Sequence, residues 1–443
     1  MLGPRGGELR SPREILQMRI SHEDLYRTSF YLTFACAVAI LISITASQIL
    51  LGLSLASLFA SRARLRLPRI WLPLALFLAG TLLSLIFSPS PAHGLPQVKK
   101  MFVFSTLLVV FSTMRELRAP RRLFLVWGGL GAVVACYGLV KFTASLYRAP
   151  VEHHALYEFY LKTRFTGFMS HPMTYAGQGM VVLLMLLAFL FFAPGLRTRA
   201  FVIGNVCVVL LGAGLLINGT RSVWLAVAIS GGWLLWRWKR WLAVIGPGVL
   251  LLPMWLVPGP VHDRALSIVR PRKDVDSNEF RVICFRTGVR MVEAHPWLGI
   301  GLDETKYHFL DYLPPDTREP RPPGFYQHLH NFYLQYAAER GIPTMAMMLW
   351  VLTMILYDFS RTLQRLPPGR SDERFLLHGG IATVIGIMIG GLFEVNLGDT
   401  EVLTVFLVVV ACGYIAVPTI LRRNDPASAT GAEAGRSPMK PRL

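Results

Sequence analysis

Long apolar runs, separated by short basic segments, dominate the chain. Each run holds about 15–20 residues with almost no charge, which matches the hydrocarbon thickness of a bilayer. A helix satisfies its own backbone hydrogen bonds in lipid, so the pattern predicts an all-α bundle of about twelve transmembrane helices. The predicted spans are residues 28–45, 47–61, 70–87, 101–114, 123–142, 176–193, 200–217, 222–236, 241–257, 343–358, 375–395 and 402–420.

The basic residues between the spans indicate how the bundle is oriented. They cluster after the even-numbered spans, at 62–69, 115–122, 197–199, 237–240 and 361–374. Because cytoplasmic loops of membrane proteins are rich in Lys and Arg, both termini are expected on the cytoplasmic side. Residues 1–27 then form a cytoplasmic N-terminal segment, and residues 421–443 form a tail with the composition of a disordered segment.

Two outward segments are too long to be simple turns. The first covers residues 143–175, inside the region of spans one to nine (28–257), and the second covers 258–342, before spans ten to twelve (343–420). Loops of this length are usually functional or disordered. The second alternates aromatic and polar residues, so we predict that it folds, contains helices and carries the active site.

Composition agrees with a membrane protein but leaves positive charge unexplained. Only 16% of residues are charged, against roughly 25% in a soluble domain, and the formal net charge is +19. The basic residues do not line one face, which argues against a nucleic-acid partner. Many arginines nevertheless lie in the outward segments, where a cationic surface suggests an anionic ligand such as phosphate. Ion pairs with acidic residues of the same loops are the alternative.

Arg221 and two histidines are candidates for chemistry. Arg221 lies between two apolar runs with almost no room for a loop, so it either snorkels to the interface or faces a polar cavity. His328 and His330 precede a helix-like stretch that ends near Gly341. A histidine at the membrane–water boundary can act as a general base near neutral pH. Histidines are more often structural, and the spacing alone leaves their role open.

The sequence gives little support for a metal site. The five cysteines have no spacing typical of zinc ligands or of a disulfide framework. The pair Asp274 and Asp276 is the exception, although Arg270, Arg272 and Lys273 are positioned to pair with it. We therefore predict neither a metal nor another cofactor.

Several short motifs, in this order, resemble the O-antigen ligase/polymerase superfamily. The resemblance covers roughly residues 160–345 in motifs and the whole chain in topology, and its pattern looks most like the O-antigen ligases. The motifs are Phe165 to Phe168 with His171-Pro172, Thr220-Arg221-Ser222, Phe280-Arg281, Glu293 to Gly301, and His330-Asn331 followed by Glu339-x-Gly341.

This resemblance implies a GT-C-like glycosyltransferase in the bacterial inner membrane, with its site facing the periplasm. Such an enzyme would move O-antigen from undecaprenyl pyrophosphate to lipid A–core oligosaccharide without a metal, and a single displacement would invert the anomeric centre. His330 would be the general base, and Arg221 with Arg281 would bind the diphosphate, with Arg286 as the alternative to Arg281. Further possible substrate contacts are Arg164, His171 and Asn331.

Other functions remain open at this stage. An O-antigen polymerase or a protein O-oligosaccharyltransferase would share the donor chemistry and differ in the acceptor. A transporter or a lipid-linked glycan flippase belongs to a different class, and it should place charged residues or broken helices at mid-membrane. Most spans are free of charge at their centres, with Glu394 near the end of one, which favours an enzyme.

Overall fold

The protein is a bundle of α-helices in the part that the computed structural model describes, residues 21–147, 153–246, 248, 259–272, 278–322 and 324–423. These ranges contain no β-strand. The helices of the first half are α1 (His22–Ala39), α2 (Ile44–Ala60), α3 (Trp71–Ile86), α4 (Pro91–Lys99), a 3₁₀ segment (Lys100–Phe104), α5 (Ser105–Thr113), α6 (Arg118–Leu146), α7 (His153–Lys162), α8 (Pro172–Phe192), α9 (Thr198–Asn218) and α10 (Arg221–Trp238). The later elements are α11 (Pro260–Leu266), α12 (Asn278–Ala294), α13 (Thr305–His308), α14 (Phe332–Arg365), α15 (Asp372–Gly391), a 3₁₀ turn (Asn396–Gly398) and α16 (Thr400–Arg423).

The helices coincide with the apolar runs. Seven helical stretches in the described ranges are long and apolar enough to cross a membrane, and one of them is the continuous run from α4 to α5 (Pro91–Thr113). The shorter α2 and α3 are also apolar. The prediction of an all-α polytopic membrane protein is therefore confirmed. Each predicted span except the ninth, 241–257, coincides with a described helix. The ninth lies largely outside the described residues, so the count of twelve crossings stays a prediction.

Small polar residues determine where several helices begin. Ser43 accepts a hydrogen bond from the Ala46 backbone at the start of α2, and Ser371 does the same for Arg374 at the start of α15. Such side chains satisfy backbone N–H groups that have no partner within the helix. These caps place the membrane-spanning segments at defined positions along the chain.

The basic connections of the bundle gather at one end, which we call the inner end. There Arg69 pairs with Asp358 of α14 at 3.1 Å, and Arg121 pairs with Asp372 of α15 at 2.7 Å. Arg121 also donates to the carbonyl of Pro194 at 2.9 Å. Connections that are far apart in sequence but share a basic character therefore lie together, and the long outward segments lie at the other, outer end.

The second outward segment contains helices and has a small core of its own. Phe280 and Cys284 of α12 pack with Phe309, Leu329 and other buried residues. This cluster packs against the first turns of α14. The helical content expected for this segment is thus present. Its described residues before α14 (259–272, 278–322 and 324–331) lie at the outer end of the bundle, and we call them the roof.

A kink at Gly341 divides α14 into an outer part and a membrane-spanning part. Gly341 has φ of 81°, a conformation that favours glycine. A Cβ there would lie 2.0 Å from the carbonyl oxygen of Trp297, and a Cβ on Gly299 would lie 2.3 Å from the carbonyl carbon of Glu339. The two glycines therefore let the loop at 295–301 rest directly on the kink, which holds Glu339 and Arg340 in place.

Candidate functional site

A cavity of about 420 Å³ lies at the outer end of the bundle. Its wall is formed by the first turns of α8, the start of α10, the outer part of α14, the end of α15 and the roof. Five of the polar side chains in the wall are Lys100, His171, His328, Arg340 and Glu394. Charged and apolar groups thus share one concave surface, as is common in ligand sites.

His330 lies behind His328, and its side chain is only 7% exposed. Its Nε2 is 2.9 Å from the carbonyl oxygen of Phe325. Since a carbonyl can only accept, Nε2 carries the proton of the neutral ring and Nδ1 is the basic nitrogen. Nδ1 is buried without a hydrogen-bond partner, 3.8 Å from Oε2 of Glu394. The basic atom therefore faces a carboxylate that can stabilise an imidazolium.

Arg281, on the first turns of α12, completes this cluster. It forms a salt bridge with Glu394 and donates to the carbonyl of Phe393 at 2.7 Å. Burial alone would raise the pKa of Glu394, but Arg281 and His330 hold that pKa below its usual value. Glu394 is therefore ionised at neutral pH, and it joins the arginine to the histidine. We call these residues the His330–Glu394–Arg281 cluster.

His328 is held in a neutral form. Burial and the neighbouring His330 lower the pKa of His328 to about 3. Its Nδ1 accepts the backbone N–H of His330 at 3.2 Å, so Nε2 carries the proton. His328 is accordingly suited to donate a hydrogen bond to a ligand in the cavity and poorly suited to act as a base.

The two histidine rings are neighbours, with centroids 3.9 Å apart. On a helix, two residues this far apart in sequence would face different sides. Residues 324–331 are not helical, and Asn331 is the N-cap of α14, accepting from the Leu334 backbone at 2.9 Å. Asn331 also donates to the carbonyl of Leu392 at 3.0 Å, which ties the histidine turn to the end of α15.

Arg221 is the first residue of α10, between Thr220 and Ser222 of the cavity wall. One guanidinium nitrogen donates to the backbone oxygen and the hydroxyl of Ser267, at 3.0 and 2.9 Å. Another nitrogen donates to the side-chain oxygen of Asn278 at 2.6 Å. Arg221 therefore points into the roof and connects it to the bundle.

Arg164 and His171 surround the same turn. Arg164 donates to the carbonyl of Asn218 at 3.0 Å and to the hydroxyl of Thr220. Burial, together with the nearby Arg264, lowers the pKa of Arg164 to about 10, so it is still a cation at neutral pH. His171 caps α8 by accepting from the Met173 backbone at 3.3 Å, and it lines the cavity. The structure thus brings both residues to the neighbourhood of Arg221.

Arg286 does not join this group. It pairs with Asp316 at 2.7 Å, and both side chains are at least half exposed. Five residues along a helix correspond to a rotation of about 140°, so Arg281 and Arg286 face different sides of α12. Of the two alternatives, Arg281 is the one beside His330.

Three charged residues near the cavity had no assigned role in the sequence. Glu394 was noted only as an acid near the end of a span, Arg340 only as one of many outward arginines, and Lys100 was not singled out. An ionisable residue at the end of an apolar run was the available signal for Glu394 and Lys100. In the described ranges, no three His, Cys, Asp or Glu side chains form a metal-ligand group; Asp274 and Asp276 lie outside those ranges.

The comparison with protein families bears directly on this site. Residues 206–349 match the family model described as O-antigen ligase. This match supports placing the chain in the O-antigen ligase/polymerase superfamily. The matched residues include Arg221, Arg281 and His330, whereas Glu394 lies beyond them. A search of curated proteins gave no match.

Proposed function

We propose that the protein is an O-antigen ligase, which transfers O-antigen from undecaprenyl pyrophosphate to a hydroxyl of lipid A–core oligosaccharide. The main support is the His330–Glu394–Arg281 cluster beside a cavity of about 420 Å³. A base, an ionised carboxylate and an arginine lie together there, in a chain that carries an O-antigen ligase family domain. Only the acceptor distinguishes this reaction from those of a polymerase or a protein O-oligosaccharyltransferase.

The proposed mechanism begins with proton transfer from the acceptor hydroxyl to Nδ1 of His330. Glu394 stabilises the imidazolium that results. The acceptor oxygen attacks the anomeric carbon of the donor sugar, the bond from that carbon to the diphosphate oxygen breaks, and the anomeric centre inverts. His330 then returns its proton to solvent or to the leaving group.

The leaving undecaprenyl diphosphate needs positive charge as the bond breaks. We propose that Arg221 and Arg281 supply it, since a guanidinium can donate two parallel charge-assisted hydrogen bonds to phosphate. Arg281 has a buried Nε without a hydrogen-bond partner, which leaves it a donor for a ligand. Arginines would then take the place that Mg²⁺ holds in metal-dependent enzymes.

The reaction is proposed to take place at the periplasmic face of the bacterial inner membrane, in a GT-C-like bundle. The support is the position of the cavity at the outer end, away from the basic connections around Arg69 and Arg121. Cytoplasmic loops are the ones enriched in such residues.

One reaction tests the proposal. The purified full-length protein is mixed with undecaprenyl-pyrophosphate-linked O-antigen and lipid A–core oligosaccharide, with and without excess EDTA. We expect glycan-modified lipid A–core under both conditions. Longer lipid-linked chains that form without using the lipid A–core would instead indicate a polymerase. Loss of transfer in EDTA, restored by Mg²⁺ or Mn²⁺, would contradict the metal-independent mechanism.

A further inference from the structure

A second cationic group lies in the cavity wall, on elements other than those of the His330–Glu394–Arg281 cluster. Lys100, the first residue of the 3₁₀ segment, donates to the carbonyl of Gly398 at 3.2 Å. No carboxylate among the described residues lies within 4.0 Å of its ammonium group. Arg340, at the end of the outer part of α14, lines the same cavity. These two cations have no place in the mechanism given above.

The acids in the same wall have other partners. Asp303 pairs with Lys306 at 2.7 Å and also accepts from Gln97. Asp399 accepts from Thr174 and from the first backbone N–H groups of α16. The charge of Lys100 also acts on Glu401 of α16, but Lys100 forms no direct ion pair with any of these acids. Its ammonium group can therefore still bind a ligand.

Arg340 is also incompletely satisfied. Its side chain is 9% exposed, and its guanidinium lies 4.0 Å from the ring centre of Tyr336 and donates to Glu339 at 2.9 Å. Its Nε is buried without a hydrogen-bond partner. A buried donor without a partner is costly, and a ligand oxygen in the cavity would remove that cost.

A small cleft, lined in part by apolar side chains, adjoins these two cations. A smaller cavity of about 40 Å³ shares Lys100 and Arg340 with the main one. Its other walls include the apolar side chains of Phe77 and Leu78 of α3, Phe104 of the 3₁₀ segment and Leu403 of α16. Polar side chains, Thr81, Gln97 and Thr400, also line it. The combination of cations and an adjoining apolar cleft fits an amphiphile with a phosphate head and a hydrocarbon chain.

We infer that Lys100 and Arg340 bind the lipid-side phosphate of a polyprenyl diphosphate, and that the cleft between α3, the 3₁₀ segment and α16 takes the start of its chain. This inference rests on the proposed function for the identity of the donor. In such a donor the diphosphate lies directly between the reacting sugar and the chain. The lipid of the acceptor is separated from its reactive hydroxyl by the core oligosaccharide, so its phosphates and chains would lie farther from the reacting atoms.

Binding of undecaprenyl diphosphate to the purified full-length protein tests the head-group site without requiring transfer. Lys100→Gln keeps a donor for the Gly398 carbonyl but removes the charge, and we expect about tenfold weaker binding. Lys99→Gln, an exposed neighbour outside the cavity, is the matched control and should bind like wild type. Lys100→Arg should recover most of the affinity. Equal affinity for Lys100→Gln and wild type would overturn the inference.

The cleft is tested by Leu78→Trp, which fills it, with Leu76→Trp, at an exposed position outside the cleft, as control. Leu78→Trp should weaken binding of undecaprenyl diphosphate and leave binding of inorganic pyrophosphate unchanged. Equal loss for both probes, or no loss for either, would contradict a chain in this cleft. Displacement of undecaprenyl diphosphate by phosphatidylglycerol at equal concentration would show a general phospholipid site instead.

The two proposals can fail separately. If wild type binds undecaprenyl diphosphate through Lys100 but transfers no glycan, the proposed function fails and the lipid site stands. If transfer proceeds and Lys100→Gln binds and reacts like wild type, only the lipid site fails.

Discussion

Glu394→Gln isolates the electrostatic part of the proposed base mechanism. The amide keeps the size of the side chain and can still accept a hydrogen bond from Arg281, but it carries no charge. An imidazolium at His330 would lie 3.8 Å from the carboxylate oxygen, which corresponds to about 4 kcal/mol at an effective dielectric constant of 20. The positive charge of Arg281 offsets part of this attraction. If about half remains, kcat/KM falls by roughly 30-fold.

The assay is steady-state transfer of lipid-linked glycan to lipid A–core oligosaccharide, with thermal stability measured in parallel. Glu293→Gln provides a control, because Glu293 is an exposed acid on α12 outside the cluster. The loss should appear in Glu394→Gln alone, with little change in stability. If Glu394→Gln keeps the kcat/KM of wild type, the carboxylate does not assist His330 and the reasoning fails.

Three further predictions concern Arg221, His328 and the orientation of the bundle. Arg221→Lys should lower kcat/KM by tenfold or more, because an ammonium cannot reproduce the two parallel hydrogen bonds of a guanidinium to a phosphate. A fully active lysine variant would refute a diphosphate role. The pKa of His328 is about 3 when folded and about 6.5 when unfolded, so stability should fall by about 2 kcal/mol between pH 7 and pH 5. His328→Gln should lack this part of the fall in thermal stability, and an unchanged acid sensitivity would contradict it. A cysteine in place of Arg318 should react with a membrane-impermeant thiol reagent in intact cells, and one in place of Arg370 should not. The reverse pattern would show that the bundle has the opposite orientation.

The membrane architecture could be predicted because it depends on local pattern. Apolar runs of sufficient length must form helices in lipid, and basic connections show which ends lie together. The pairing of Arg69 with Asp358 and of Arg121 with Asp372 agrees with that grouping. Segment boundaries were less accessible: α14 begins at Phe332, eleven residues before the predicted span at 343, because its outer part is polar and a kink at Gly341 separates the two parts.

The sequence could single out a candidate where one motif points to one residue, as with His330, whose chemical role stays a prediction. It was not predictable where a role depends on packing between distant segments. Glu394 lies 64 positions after His330 in the sequence, and only the fold shows that it meets both His330 and Arg281. The choice between Arg281 and Arg286 likewise depended on which side of α12 each arginine lies on. The rings of His328 and His330 are neighbours because the turn before α14 is not helical, which the sequence did not show.

The glycan-transfer activity of the His330→Ala variant tests the central claim most directly. As general base, His330 is expected to contribute on the order of 10²–10⁴-fold in rate. His330→Ala should therefore lose nearly all transfer of lipid-linked glycan, while membrane insertion and binding of undecaprenyl diphosphate stay near wild type. His328→Ala should keep more activity, because the low pKa of His328 makes it a poor base. Near-normal transfer by His330→Ala would contradict the account. If His328→Ala lost transfer instead, His328 would be the essential histidine.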